Sequence, residues 1–399
     1  MSTEQNVPPP LFLPKECFSA DVLTRQAKAH GFSQANTLEA LLWAYEIFCQ
    51  MQQRAGDMIR LTGGGATQLF VQPERQRASV DIDILTSLDQ TAIESLLTDI
   101  TRILGDSRPY FVFQPYDPAA PATVEGLHSH TVLVPTAMGQ KWRMQDGAMI
   151  EARMIKVDVH QLHALPPGHA REARIAGMDL GVAPLTVGIG YLIAEKLLTQ
   201  ARGTVGVPNT RYQDLPKHLY DLDSLTMQDA AGALAETAQW LPDVIAQQGT
   251  HWRKREGLAS ICDDLEASLS RFAVVDYAEE REVFQRAVSQ LETLYLPRGS
   301  RWRLHQWATK AARMLAIVRL LRPAILDGER FRPEVLGAFE RLAVMARTHG
   351  EPAAITRTLY SQLPSQMRTV RALKGSPPER LYWMLATQET LGGLERTLS

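Results

Sequence analysis

Residues 57–86 read DMIRLTGGGATQLFVQPERQRASVDIDILT, and the arrangement of the whole first half of the chain follows from them. Asp57 to Thr62 predicts a short strand, Gly63-Gly64-Gly65 a turn, and ATQLFVQ a short helix. Ser79 to Thr86 alternates strictly, with Val80, Ile82 and Ile84 on one face and Asp81 and Asp83 on the other. Thr91 to Leu104 then predicts an amphipathic helix. The order is strand, glycine turn, helix, strand, helix.

Upstream, Pro8 to Pro10 predict an extended segment, and residues 1–35 are read as an N-terminal arm. A helix is expected from Asn36, capped by that residue with Glu39 reaching back. Its apolar positions Leu38, Leu41, Leu42, Tyr45, Phe48 and Met51 form one stripe. Downstream, Tyr110–Gln114, His128–Pro135 and Met154–His160 predict further strands. In the last, Ile155, Val157 and Val159 alternate with Lys156, Asp158 and His160. The period then lengthens, with helices expected over Thr186–Gln200 and Asp214–Leu225 and almost only helical periodicity beyond Met227. The sequence thus predicts an α+β (α/β-like) fold: a small mixed sheet flanked by helices over 36–226, then an all-helical C-terminal domain over 227–399.

Composition narrows the function classes. With 45% hydrophobic and 22% charged residues in 399, the chain carries enough apolar material for a sizeable core and is not disordered as a whole. A net charge of −2 excludes a uniformly basic nucleic-acid coat. Cys17, Cys49 and Cys262 are three widely spaced cysteines without a CxxC, which predicts free thiols and no cysteine zinc cage. Leu180–Ala194, the longest uncharged apolar stretch, is broken by Pro184, Gly188 and Gly190 and is too short for a membrane span. The first residues lack the basic start and apolar core of a secretory signal, so a cytoplasmic protein without membrane attachment is expected.

Asp81 and Asp83 project the same way from one strand, their backbones about 6–7 Å apart. Two anions held so closely repel and lose solvation unless a cation neutralises them. A hard divalent ion such as Mg²⁺, with Mn²⁺ as an alternative, suits oxygen ligands of this kind. Asp158, on the polar side of another strand, is the expected third metal ligand. Glycines at a strand-to-helix turn let backbone N–H groups approach a phosphate, and the helix N-terminus adds positive potential. Acids beside a glycine turn imply a nucleoside triphosphate held by both.

GGG-ATQLF followed by Arg77-x-Ser79-x-Asp81-Ile82-Asp83 resembles the signature of the polymerase-beta-like nucleotidyltransferase superfamily. This version is similar to the AbiEii/AbiGii-type, MenT-like nucleotidyltransferase toxins. Asp158 matches the family's third aspartate, and Ala194-Glu195-Lys196 its Ala-Glu-Lys helix element. Lys217-His218-Leu219-Tyr220-Asp221-Leu222 matches its K-D-L-Y-D-L element, with His218 at the first acidic position and Asp221 at the second; Asp214 is a further candidate. The hydroxyl that follows the family's double glycine is replaced here by Gly65, with Thr62 and Thr67 nearby.

The resemblance implies Mg²⁺-dependent transfer of a nucleotide from an NTP to an acceptor, with release of pyrophosphate. Asp81, Asp83 and Asp158 would hold the metal, and Asp158 would help deprotonate the acceptor hydroxyl. Lys196 would neutralise the triphosphate, and Asp221 would position Lys196 or the acceptor. Gly63, Gly64, Gly65, Thr67, Arg77 and Ser79 would contact phosphates or brace the aspartate strand. The acceptor would be RNA, foremost tRNA, and the chain the toxin of a toxin–antitoxin or phage-defence pair with a cognate antitoxin. Alternatives are nucleotidylation of a protein hydroxyl and a nucleotide- or RNA-binding module without catalysis.

Three other patterns have competing readings. His128-Ser129-His130 and His160-x-x-His163 could be metal pairs, but the acid triad already accounts for a metal. Gly188-x-Gly190 lacks the rest of a dinucleotide fingerprint and is read as packing. Basic residues from Arg298 to Arg322, including Arg301, Arg303, Lys310 and Arg313, interleave with Trp302 and Trp307 and no acid, which predicts either a nucleic-acid-binding face or an amphipathic helix with a solvated basic side.

Overall fold

A computed structural model describes residues 11–104, 112–115, 126–144, 147–227, 230–251, 256–348, 350–387 and 389–398. The Pro8–Pro10 segment and the first two residues of the strand expected at 110–114 lie outside them. The chain packs as two compact units: residues 1–188 with 292–301, and residues 189–291 with 302–399. The second unit begins at Ile189, ahead of the boundary expected after 226, and so takes in the two helices that precede it.

In the first unit, helices α1 (Ala20–Ala29) and α2 (Ala35–Ala55) precede strand β1 (Ile59–Thr62) and helix α3 (Gly63–Phe70). Strand β2 (Asp81–Thr86), helix α4 (Gln90–Leu104), and strands β3 (Val112–Pro115) and β4 (Leu127–Val134) follow. The short strands β5 (Lys141–Arg143) and β6 (Met149–Glu151) lead into β7 (Arg153–Gln161). Four two-residue strands close the unit: β8 (His169–Ala170), β9 (Arg174–Ile175), β10 (Met178–Asp179) and β11 (Leu185–Thr186). Seven strands form one mixed sheet in the order β3-β4-β7-β2-β1-β11-β8. Within it β2 runs parallel to β7 and β1 parallel to β11.

The expected alternation sets the two faces of this sheet. Ile82, Ile84, Ile155, Val157 and Val159 are buried, and α2 and α4 pack on the strands that carry them. Burial of such side chains stabilises by about 1.5–3 kcal/mol each.

Within the segment ahead of α2, a turn at Lys15–Phe18 leads into helix α1, which is capped by the Ser19 hydroxyl. Nor is α2 amphipathic with a single apolar stripe. Glu39, Glu46 and Gln50 are as buried as Leu38 and Leu42. Glu46 accepts hydrogen bonds from the Leu13 N–H at 2.9 Å and from Gln50 at 2.7 Å. Burial pushes its carboxyl above the usual range. Glu39 does not cap its own helix; it accepts from the Thr136 hydroxyl at 2.8 Å and the Ala137 N–H. Asn36 lies inside α2, after Gln34 as N-cap.

The second unit is helical: α5 (Ile189–Leu198), α6 (Leu215–Thr226), α7 (Ala230–His251), α8 (Leu258–Phe272), α9 (Arg281–Leu294), α10 (Leu304–Leu326), α11 (Pro333–Thr348), α12 (Pro352–Gln362), α13 (Ser365–Arg368), α14 (Pro378–Leu385) and α15 (Leu391–Leu398). The last turn of α9 passes into the first unit. Gly190 is a packing residue, as its sequence context predicted: a Cβ there would lie 2.5 Å from the Glu236 Cβ of α7. Among the described residues no helix is long and apolar enough to cross a membrane.

Candidate active site

The polar face of the sheet is built by register. β2 and β7 align Asp83 with Asp158 and Asp81 with Lys156. Across β7, Asp158 faces Ser129 of β4, and across β2, Asp83 faces Thr62 of β1. One row therefore reads Ser129, Asp158, Asp83, Thr62 over four adjacent strands, and the next reads Thr131, Lys156, Asp81. Neighbouring strands lie about 4.8 Å apart, so the three aspartates share a single patch. β7 is an interior strand, not an edge.

The glycines adjoin that patch. They are the first turn of α3 rather than a turn ahead of it. Gly63 has φ +64°, and a Cβ there would lie 1.9 Å from Asp83 Oδ2. The Gly64 N–H donates to the same oxygen at 3.2 Å. A Cβ on Gly64 would stand 2.4 Å from Ser79 Oγ and 3.1 Å from Arg77 Nη2. Only glycine lets the backbone come so near these side chains. Gly65 is different, since its Cβ would meet Leu61 at an ordinary 3.7 Å.

The carbonyls of all three glycines are tied down by side chains. Thr67 donates its hydroxyl to Gly63 O at 2.8 Å, Gln68 its amide to Gly64 O at 3.0 Å, and Tyr45 its phenol to Gly65 O at 2.8 Å. Gln68 also accepts the Arg77 N–H at 2.7 Å, so one side chain links the glycine turn to the segment that precedes Asp81. Burial pushes the Tyr45 phenol up, and that proton stays on the donor. Arg77 and Ser79 are themselves buried.

Asp158 is held from two sides. Lys156 Nζ lies 2.8 Å from Oδ1 and 2.9 Å from Oδ2, and the Ser129 hydroxyl donates to Oδ1. His160, the next residue on that face, is pushed below the usual imidazole range by desolvation. His128 and His130 lie on the opposite face, their ring nitrogens 2.7 Å apart. Burial and the neighbouring ring lower His128 to about 4.

The family model of the AbiEii nucleotidyltransferase toxins, of type IV toxin–antitoxin systems, matches residues 47–304. The chain belongs to this family. Among solved structures, the nucleotidyltransferase toxin MenT4 of Mycobacterium tuberculosis H37Rv is 11% identical, with a TM-score of 0.41 over 95% of this chain and 97% of that one. An antigenic nucleotidyltransferase-like protein from Paracoccidioides brasiliensis is 15% identical, with a TM-score of 0.29 over 54% of this chain and 95% of that one. No curated protein matches.

The other residues expected of an AbiEii-family site lie in the second unit. Lys196 of α5 and Asp221 of α6 form an ion pair at 3.1 Å, with side chains 7% and 1% exposed. Asp214 is engaged by Arg211 at 2.8 Å and Lys217 at 3.3 Å. The cations of α10 pair with acids of other helices. Arg313 is buried, donating to Thr226 and to Glu340 at 2.8 Å, and Lys310 pairs with the fully buried Asp223 at 3.0 Å. Arg319 and Arg322 pair with Glu266, and Trp307 is in the core. Arg301 is exposed and donates to Ser33 and Glu292, and Arg303 is the exposed N-cap of α10.

Tyr45, Gln68 and Ser129 are the site residues that the sequence did not single out, whereas the pairing of Lys156 with Asp158, two residues apart on one face of a strand, was legible as the alternative to a metal role. Tyr45 had a weak signal, a hydroxyl within an apolar stripe, which needs a partner once buried.

Proposed function

We propose that this family member transfers a nucleotide from an NTP to an RNA hydroxyl, tRNA foremost, with Mg²⁺ as cofactor and as the toxin of an antitoxin pair. The observation that supports the reading is the alignment of Asp83 with Asp158 beside a glycine turn pressed onto Asp83.

The donor chemistry fits the ion: three carboxylates on two adjacent strands offer hard oxygen ligands, and a divalent cation offsets their mutual repulsion. As the side chains stand, no group of three His, Cys, Asp or Glu among the described residues is gathered around one point. Asp158 is turned to Lys156 and Ser129, and Asp83 to Gly64. Asp81, Asp83 and Asp158 are the residues we assign to the metal, which when bound would neutralise charge on the triphosphate and on the leaving group.

The N-terminus of α3 supplies positive potential for phosphate oxygens, and the ties on the Gly63, Gly64 and Gly65 carbonyls fix its direction. Arg77, against Gly64, adds a guanidinium to that end. In the reaction the acceptor oxygen bonds to the α-phosphorus as the bond to the β-phosphate bridge breaks. Pyrophosphate leaves with that electron pair, and Asp158 takes the acceptor's proton.

The test is incubation of the purified chain with each α-labelled NTP, Mg²⁺ and total RNA, beside Asp81→Ala. Label on RNA with wild type and none with the variant is the expected result. Label on protein instead, or equal label with both chains, overturns the reading.

A further inference from the structure

Lys156 shares one face of β7 with Asp158. It lies on the polar face of an interior strand, in register with Asp81, and both oxygens of Asp158 lie within 2.9 Å of its ammonium. The Ser129 hydroxyl fixes the same carboxylate from the opposite strand. The side chains of Lys156 and Asp158 are 30% and 21% exposed, so the pair is reachable from solvent.

Three aspartates in one patch without a cation would repel one another. A lysine two residues away on the same strand relieves that repulsion, and the geometry points to a specific role. We propose that Lys156 is the built-in counter-ion of the acidic patch: it holds Asp158 while no divalent ion is bound and gives it up when one enters. A carboxylate cannot give its lone pairs fully to both, and a doubly charged ion outcompetes an ammonium at the same oxygens. Lys156 thus lowers the affinity of the patch for metal alone. It acts through Asp158, as a positioning residue. The inference rests on the metal reading above.

The experiment is a Mn²⁺ titration of the full chain without nucleotide, followed by the electron paramagnetic resonance of free Mn²⁺. Lys156→Gln is expected to bind about fivefold tighter than wild type, the upper end of what a part-exposed ion pair is worth. That gain should vanish when Asp158→Asn is added. Unchanged or weaker binding by Lys156→Gln overturns the inference, and if Asp83→Asn still weakens binding, the metal reading stands without it. No Mn²⁺ binding by any chain overturns both.

A second measurement needs no variant. Acetylation of Lys156 in the wild type, read by mass spectrometry, should speed up at saturating Mn²⁺ as the amine is released. A constant or slower rate counts against the exchange.

Discussion

The two units distribute their acids differently. In the helical unit, acids in the interior are matched with cations: Asp221 with Lys196, Asp276 with Arg380 in a two-pronged contact at 2.7 and 2.9 Å, and Asp223 with Lys310 and Arg313. In the sheet unit, Asp81, Asp83 and Asp158 are gathered onto one patch, with Lys156 in the same rows. Pairing opposite charges in the interior joins helices, because removing either partner strands a buried ion. Gathering like charges costs stability, which is the setting in which the metal role proposed above would make sense.

The largest effect expected from this contrast is catalytic. Asp83→Asn, which keeps volume and removes charge, should lower transfer about 10³-fold or more, as loss of several kcal/mol of transition-state stabilisation requires. Its melting temperature should stay near that of wild type. A collapse of the fold would mean that Asp83 has a structural role instead.

Lys196→Met should cost stability. Stranding Asp221 at 1% exposure should cost about 3 kcal/mol, read by urea unfolding. Lys310→Met should cost less, because Asp223 keeps Arg313 at 3.7 Å. Equal losses would mean that the second cation beside Asp223 adds nothing.

The glycines sharpen the picture at the level of single atoms. Gly63→Ala meets both a positive φ and Asp83 Oδ2 at 1.9 Å, and should lose about 2 kcal/mol. Gly65→Ala meets only Leu61 at 3.7 Å and should gain up to about 1 kcal/mol, since helical alanine loses less entropy on folding. Thermal melts of the two variants decide it.

The smallest effect concerns pH. Burial and the adjacent His130 ring depress His128 to about 4 from 6.5, so the unfolded chain binds its proton first. Stability tied to His128 is therefore complete above about 6.5 and falls as pH drops toward 4. His128→Gln should flatten that limb of the stability profile, and an unaltered slope would refute it.

Much of the first unit was legible because its signals are local. The alternation of SVDIDILT and MIKVDVH placed the aspartates on one side of each strand, and the glycine run marked the strand-to-helix junction. Local pattern misled where a charge had a distant partner. Asn36 and Glu39 have capping-box spacing, but Glu39 accepts from Thr136 and Ala137, nearly a hundred residues away. The arginines of α10 follow a basic periodicity with no acid in the run, because Asp223, Asp263, Glu266 and Glu340 come from other helices.

The sequence by itself determined the order of elements and the side of each strand on which an acid projects, because backbone geometry over a few residues fixes both. The tertiary structure alone decided that β7 lies beside β2 with Asp158 level with Asp83, which acids the α10 cations meet, and which glycines of the run are pressed against side chains. Those outcomes depend on strand pairing and helix packing between residues far apart in the chain, where burying a charge next to its opposite outweighs any local preference.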